Sequence, residues 1–157
     1  MYLAIAIYTF AMTLANLSVA AFGPSVTPLN AFLFIGLDLT LRDWLHVRLK
    51  FWQMGILIAV SGLLTLLLNP ASGLIAIASA VAFTAAASVD WAVFAKLRGS
   101  WSIRANASNV AGAMVDSLLF PTIAFGVLMP HIIAMQFAGK VIGGFLWSLI
   151  LKGNHEE

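Results

Sequence analysis

The chain has 157 residues, of which 62% are hydrophobic and 9% are charged, and its mean hydropathy is +1.00. This composition excludes a soluble globular domain and predicts one integral membrane domain over residues 1–157. The net charge of +2 rests on too few basic residues to form a nucleic-acid-binding patch. The sequence contains no cysteine, which excludes disulfides, thiolate chemistry and cysteine-ligated metal sites.

Six apolar stretches follow one another along the chain, separated by proline-containing or short polar segments. The first is expected to end before Gly23-Pro24, because proline removes a backbone donor and restricts the residue before it. Asn69-Pro70 and Met129-Pro130 are expected to end the third and fifth stretches in the same way. The expected spans are residues 2–22, 29–47, 51–68, 72–97, 105–128 and 132–151. The sequence thus predicts an all-α integral membrane protein with six transmembrane helices.

The first stretch also has one feature of a cleaved signal peptide. Ser18-Val19-Ala20 has the small-x-small pattern of a cleavage site. However, no Lys or Arg precedes the apolar run, and the run is longer than a signal-peptide core. We therefore expect residues 2–22 to be a retained transmembrane helix.

The basic residues predict the orientation of the six helices. Six of the eight Lys and Arg residues lie at connections on one side of the expected bundle or after its last span: Arg48, Lys50, Lys96, Arg98, Arg104 and Lys152. The connections around Pro24, Pro70 and Pro130 contain no Lys or Arg. Since cytoplasmic connections carry the excess of basic residues, both termini are expected to be cytoplasmic, in a multi-pass protein of the inner cell membrane.

The most informative stretch is residues 104–125, because it is apolar enough to cross a membrane and yet carries Asp116. Asp116 lies twelve residues after Arg104, about 18 Å along a helix that rises about 1.5 Å per residue. This depth is close to the centre of a hydrocarbon core about 30 Å thick, where a carboxylate costs at least about 2.5 kcal/mol. Asn109 and Phe120 share its helix face. The pattern favours the interpretation that these residues form the wall of a binding site. The alternative is that Asp116 only pairs with a basic residue to hold helices together.

Polar residues of other spans are expected at a similar depth. The same arithmetic places four of them in the central part of the membrane: Asn16, Asp38, Gln136 and Lys140. Each polar group in a membrane must find a partner or water, so these residues and Asp116 predict a polar cavity. Asp38 and Arg42 are four residues apart and can pair along one helix.

No enzyme motif occurs in the sequence: there is no nucleophile elbow, HExxH or phosphate loop. The protein is therefore expected not to be an enzyme, and neither a cofactor nor a metal site is expected. A carboxylate such as Asp116 can accept two parallel N–H donors from the edge of a guanine-like base. Asn and Gln amides supply both donors and acceptors, and an aromatic residue such as Phe120 can cover the face of the ring.

Two stretches also carry a resemblance to a known family. They are Arg104, Ser108-Asn109, Val115-Asp116-Ser117-x-x-Phe120 and Ile123-Ala124-Phe125 in the fifth span, and Phe34-x-x-x-Asp38-Leu39-x-x-Arg42 in the second. They resemble the signature of the putative vitamin uptake transporter family, whose characterised members are queuosine precursor transporters. The six-span layout is similar, and the likeness covers roughly residues 28–140 of a chain with shorter loops than usual members have.

The resemblance implies a transporter that imports a 7-deazaguanine, in its 7-cyano or 7-aminomethyl form, for tRNA modification. The expected substrate-binding residues near the bilayer midplane are Asp116, Asn109, Ser117, Phe120, Gln136, Lys140 and Asn16. By this resemblance Asp116 binds the donor edge of the base, and Lys140 or Gln136 meets its carbonyl oxygen. Asp38 and Arg42 are expected to form a gating pair or a proton-linked site.

Two alternatives stay open. The chain could be the substrate-binding membrane subunit of a multi-component vitamin or nucleobase importer, with Ala11-x-x-x-Ala15 as its docking surface. It could also be a non-transporting membrane interaction protein, in which Asp116–Lys140 and Asp38–Arg42 are only structural ion pairs.

The expected partners are a small-molecule deazapurine base and the lipid bilayer, and no nucleic acid partner is expected. Gly139-x-x-x-Gly143 is either a dimer face, which would make the protein a homo-oligomer, or a motif for close packing inside the chain.

Overall fold

The computed structural model of the chain describes residues 1–46 and 48–151. The description includes the side chains of these residues except those of Arg42, Asp43, Trp44, His46, Phe51, Trp101, Ser102, Ser148 and Leu151. The expected Asp38–Arg42 pair and the basic residue Lys152 therefore lie outside the described part of the chain.

Helices occupy all six apolar stretches, and the described residues contain no strand. The helices are α1 (Tyr2–Phe22), α2 (Thr27–Asn30), α3 (Gly36–His46), α4 (Phe51–Leu68), α5 (Gly73–Lys96), α6 (Trp101–Phe125) and α7 (Pro130–Leu151). A 3-10 helix, Gly23–Val26, lies between α1 and α2, and a π-helical segment, Ala31–Ile35, lies between α2 and α3. The all-α prediction is confirmed.

Helix α6 differs most from the expected span of residues 105–128. It begins at Trp101 because Ser100 caps it: Ile103 N–H donates to Ser100 Oγ at 3.4 Å. It ends at Phe125 because Gly126 adopts a left-handed conformation, with φ of 70°, that glycine tolerates best. The sequence prediction was thus wrong by several residues at the start and by three at the end.

Three stretches of the described chain are long and apolar enough to cross a membrane: Tyr2–Leu41, Pro70–Lys96 and Ile103–Phe125. Trp52–Leu68 is a shorter apolar helix. Large apolar side chains cover the outside of the molecule, as in Leu67 and Ile150, which are 69% and 67% exposed. These features fit a multi-pass membrane protein, whereas the number of six spans and the cytoplasmic position of the termini stay predictions.

The stretch Tyr2–Leu41 folds into a hairpin. Its 40 residues correspond to about 60 Å of helix, about twice the thickness of a hydrocarbon core. The chain turns at Gly23, where φ is 72°. Asn30 Nδ2 then donates to Ala15 O at 3.1 Å and to Ser18 Oγ at 2.7 Å, so that α2 returns along α1.

A cluster of buried apolar residues lies mainly between α1, α3 and α4. Its members are Tyr8, Met12, Ala15, Ile35, Leu39, Leu41, Leu45, Met54, Ile58, Phe83 and Ala113. By their positions along the helices, most of them lie in the half of the bundle whose connections carry basic residues. The opposite half contains several buried polar side chains, among them Asn16, Asn30 and Gln136.

Small residues bring α7 close to the hairpin. A Cβ atom on Gly143 would overlap with the carbonyl oxygen of Phe32, and one on Gly36 would lie 2.6 Å from the carbonyl carbon of Gly143. A Cβ atom on Gly139 would lie 3.0 Å from Pro28 O. Gly139-x-x-x-Gly143 is therefore a packing motif inside the chain and not a dimer face.

The other expected small-residue surface is also internal. Ala11 and Ala15 are only 3% and 4% exposed, because both are packed inside the bundle. The interpretation of this face as a docking surface for a partner subunit is therefore wrong.

Candidate functional site

A polar cavity lies in the half of the bundle opposite the apolar cluster. The space that no atom fills, counted together with the solvent at the open mouth, is about 340 Å³, and only about 30 Å³ of it admits the centre of a water-sized sphere. Its lining residues come from α1, α2, the π-helical segment, α5, α6 and α7: Ala15, Asn16, Val19, Thr27, Asn30, Ala31, Ile35, Ser79, Phe83, Asp116, Phe120, Gln136 and Lys140. Along α7, Gln136 and Lys140 lie about 9 and 15 Å from the end at Pro130. The cavity thus extends from the end of the bundle with the proline-containing connections towards its middle.

An ion pair between α6 and α7 forms one wall of the polar cavity. Lys140 Nζ lies 2.5 Å from Asp116 Oδ2, and both side chains are nearly fully buried. Lys140 Nζ also donates to Ser117 Oγ at 3.0 Å and to Gln136 Oε1 at 3.2 Å. Since an ammonium group has three N–H donors, Lys140 has none left for a ligand.

The ion pair continues into a chain of hydrogen bonds that reaches the hairpin. Gln136 Nε2 donates to Thr27 Oγ1 at 3.0 Å, and Thr27 Oγ1 donates to Pro24 O at 2.7 Å. Through these two contacts and the ion pair, buried polar groups connect α2, the 3-10 helix, α6 and α7. Such a chain of hydrogen bonds restricts the orientation of its members.

The second oxygen of Asp116 is different. Asp116 Oδ1 is buried, and no donor among the described residues bonds to it. A buried acceptor without a donor costs about 1–3 kcal/mol, and more when it is charged. Asp116 also lines the polar cavity, and a carboxylate oxygen of this kind can accept a hydrogen bond from an N–H or O–H donor.

Neutral polar groups stand on the other walls. Asn30 uses both N–H donors within the hairpin, and in the described structure its amide oxygen accepts no hydrogen bond. Asn16 makes one long contact, from Nδ2 to Thr65 Oγ1 at 3.4 Å. Ser79 is 2% exposed and adds a hydroxyl group from α5. The polar cavity therefore offers several uncharged acceptors and donors around one carboxylate oxygen.

Two aromatic rings complete the lining. Phe83 is buried, and Phe120 packs edge-on against Phe125, with the ring centroids 6.5 Å apart and an angle of 80° between the rings. This arrangement fixes the Phe120 ring. The lining of the polar cavity therefore combines two phenyl rings with hydrogen-bonding groups.

Of the residues expected at the site, five line the polar cavity: Asn16, Asp116, Phe120, Gln136 and Lys140. Ser117 contacts Lys140 but does not line the cavity, and Asn109 lies about two helical turns from Asp116, outside it. Asp38 is fully buried elsewhere.

Sequence reasoning missed several lining residues: Thr27, Asn30, Ser79 and Phe83. Thr27 lies between the first two expected spans and Asn30 near the start of the second, and neither has a spacing that points to a site. Ser79 lies in an alanine-rich helix, where a single hydroxyl does not indicate which face is polar. In the described part of the chain, no group of three or more His, Asp or Glu residues could hold a metal ion.

Arg104, part of the resembling stretch, has a structural position away from the polar cavity. Its Nε and Nη2 donate to Phe94 O at 3.1 and 2.8 Å, and its guanidinium carbon lies 4.1 Å from the centroid of the Phe94 ring. Arg104 thereby satisfies a carbonyl group in the last turn of α5 and fastens α6 to it.

The geometry can be compared with known proteins. Residues 3–152 match the family described as putative vitamin uptake transporter, and the match includes every residue that lines the polar cavity. Searches of curated proteins and of solved structures found no match. The family match covers nearly the whole chain and agrees with its apolar helices, which supports a membrane transporter. The resemblance of the two motif stretches is thereby confirmed, and the chain belongs to the putative vitamin uptake transporter family.

Proposed function

We propose that the protein imports a queuosine precursor, the 7-cyano or the 7-aminomethyl form of 7-deazaguanine, across the inner cell membrane for tRNA modification. Its family supports the class of transporter. The observation that supports this substrate is Asp116 Oδ1, a buried anionic acceptor without a donor, in a cavity that also contains amides and phenyl rings. A guanine-like base presents a ring N–H and an exocyclic amine on one edge, which are the donors such an oxygen requires.

The contacts of Asp116 favour a particular mode of binding. Oδ2 is engaged by Lys140, so only Oδ1 accepts a donor of the base, in place of the two parallel bonds expected from the sequence. The second donor of the base then bonds to a neutral oxygen nearby, such as that of Asn30. Gln136 retains one N–H, which suits the carbonyl oxygen of the base. Phe83 and Phe120 contact the face of the ring.

Uptake by cells that cannot synthesise the modified base tests this function. The cells receive 7-cyano-7-deazaguanine at low concentration, and queuosine in tRNA is measured for wild type and for Asp116→Asn. Because a hydrogen bond to a charged group contributes about 1.5–3 kcal/mol, Asp116→Asn should lower uptake efficiency by about 10- to 100-fold. Ser88→Ala, which removes an exposed hydroxyl bonded to Thr84 O of its own helix, is the matched control and should keep full uptake.

The outcomes separate the alternatives. Equal rescue by wild type and Asp116→Asn, at equal membrane expression, would keep the transporter but remove Asp116 from its site. No rescue by wild type would contradict the substrate class. Purified protein in liposomes that takes up the base without any other protein would exclude the importer-subunit alternative.

A further inference from the structure

The charges that line the polar cavity sum to zero. Asp116 and Lys140 are the charged residues of the described lining, and they are 5% and 2% exposed. Their distance of 2.5 Å makes them one ion pair. All other polar lining residues carry neutral amides or hydroxyl groups: Asn16, Thr27, Asn30, Ser79 and Gln136. A ligand in the polar cavity therefore meets dipoles and one acceptor oxygen, but no uncompensated charge.

A charged ligand has no counter-ion in this cavity. An anion would approach Asp116 Oδ1, and it would find every donor of Lys140 already engaged with Asp116, Ser117 and Gln136. A cation could reach Asp116 Oδ1, but it would share that carboxylate with the ammonium group of Lys140, which repels it. In both cases the ligand loses its water without gaining a full opposite charge, which is unfavourable in a medium of low dielectric constant.

A neutral ligand with N–H donors avoids both costs. It satisfies Asp116 Oδ1 through a hydrogen bond and leaves the ion pair unchanged. We infer that the polar cavity selects planar bases without net charge, and that Lys140 determines this selectivity by neutralising Asp116. Lys140 is thus a positioning residue, since its own donors do not contact the ligand.

The inference rests on the proposed function and narrows its substrate. A nitrile at the 7-position leaves the base neutral. An aminomethyl group carries a positive charge at neutral pH, because an alkylamine such as that of lysine has a pKa of about 10.4. The neutral 7-cyano form is therefore the preferred one of the two precursors.

Three 7-substituted 7-deazaguanines on one scaffold test the inference: the neutral 7-cyano, the cationic 7-aminomethyl and the anionic 7-carboxy form. Their uptake by wild-type protein in liposomes is measured by mass spectrometry of the lumen. The neutral form should be taken up at least about tenfold more efficiently than either charged form. Equal uptake of the neutral form and a charged form, or a preference for a charged one, would overturn the inference and leave the proposed function intact. Uptake of none of the three would overturn the proposed function itself.

Two variants test the part of Lys140. Lys140→Met leaves Asp116 without its counter-ion, so the preference for the neutral over the cationic base should fall or reverse. The double variant Asp116→Asn/Lys140→Met removes both charges of the described cavity lining. It should therefore keep the preference for the neutral base, at reduced overall uptake. An unchanged ratio in Lys140→Met would overturn the assignment to Lys140. The single variant can be compared only if it reaches the membrane. If it does not, the double variant decides: loss of its preference for the neutral base would overturn the assignment to Lys140.

Discussion

Thr27 connects the two ends of the polar network in the cavity wall. Its hydroxyl donates to Pro24 O and accepts from Gln136 Nε2, while Gln136 accepts from Lys140. One hydroxyl group therefore links the 3-10 helix to the ion pair of α6 and α7. Its removal would leave a buried amide donor without its acceptor.

Thr27→Val, which keeps the shape of the side chain and removes the hydroxyl, should lower the free energy of unfolding by about 1–3 kcal/mol. Thermal unfolding of the purified protein in detergent measures this change. Thr84→Val is the matched control, because Thr84 is exposed and bonds only to Ala80 O of its own helix. It should change the stability by less than about 0.5 kcal/mol, and equal effects of the two variants would contradict the role of the network.

The contact between α7 and the π-helical segment is made by backbone atoms. Gly143 lies against the carbonyl group of Phe32, and its backbone is also close to Gly36. Because Ala31 and Ile35 line the polar cavity, this contact determines how near α7 and its Lys140 stand to the hairpin. π-Helical segments are rare and often occur at functional sites, and this one forms part of a cavity wall.

Gly143→Ala should destabilise the protein by about 1–3 kcal/mol, because the new methyl group overlaps with a carbonyl group that cannot move aside. It should also lower uptake, since α7 is displaced from the hairpin. Gly62→Ala on α4 is the control: nothing lies within 4 Å of the added Cβ, so stability should be equal or slightly higher. The melting temperatures of the two variants, measured side by side, decide the question, and equal melting temperatures would refute the close contact.

The helices were predictable from the sequence, whereas the members of the polar cavity were predictable only in part. Prolines and polar turns mark many helix ends locally, so all six helical stretches could be read along the chain, whereas the ends of α6 and the π-helical segment could not. Depth in the membrane also follows from counting residues, which placed Asp116 and Lys140 at one level. Which side of a helix faces a cavity depends on neighbouring helices, and this explains why Asp38, at a similar depth, lies outside the polar cavity.

The whole bundle is divided along its axis. Most of the apolar cluster lies in the half with the basic connections, and the polar cavity lies towards the proline-containing connections; Ala15, Ile35 and Phe83 belong to both, where the two meet. If the expected orientation is right, the cavity lies nearer the outer face of the membrane, and the apolar cluster separates it from the cytoplasm.

Single cysteines test this orientation, since the natural chain has none. Ser25→Cys and Val127→Cys, at exposed positions near the proline-containing connections, should react with a membrane-impermeant maleimide in intact cells. Ser100→Cys, in the turn after α5, should react only after the cells are permeabilised. The reverse pattern would overturn the expected cytoplasmic termini, and labelling of all three in intact cells would contradict the number of spans.

The ion pair between Asp116 and Lys140 has a consequence for how the protein enters the membrane. The two residues are 24 positions apart on consecutive helices, and each alone would cost about 2.5–3.5 kcal/mol at the centre of a bilayer. During synthesis α6 emerges from the ribosome before α7, so its carboxylate is without a counter-ion until Lys140 follows. We therefore expect α6 and α7 to leave the insertion machinery for the lipid together, and α6 should insert less efficiently in a chain truncated before Lys140 than in the full chain.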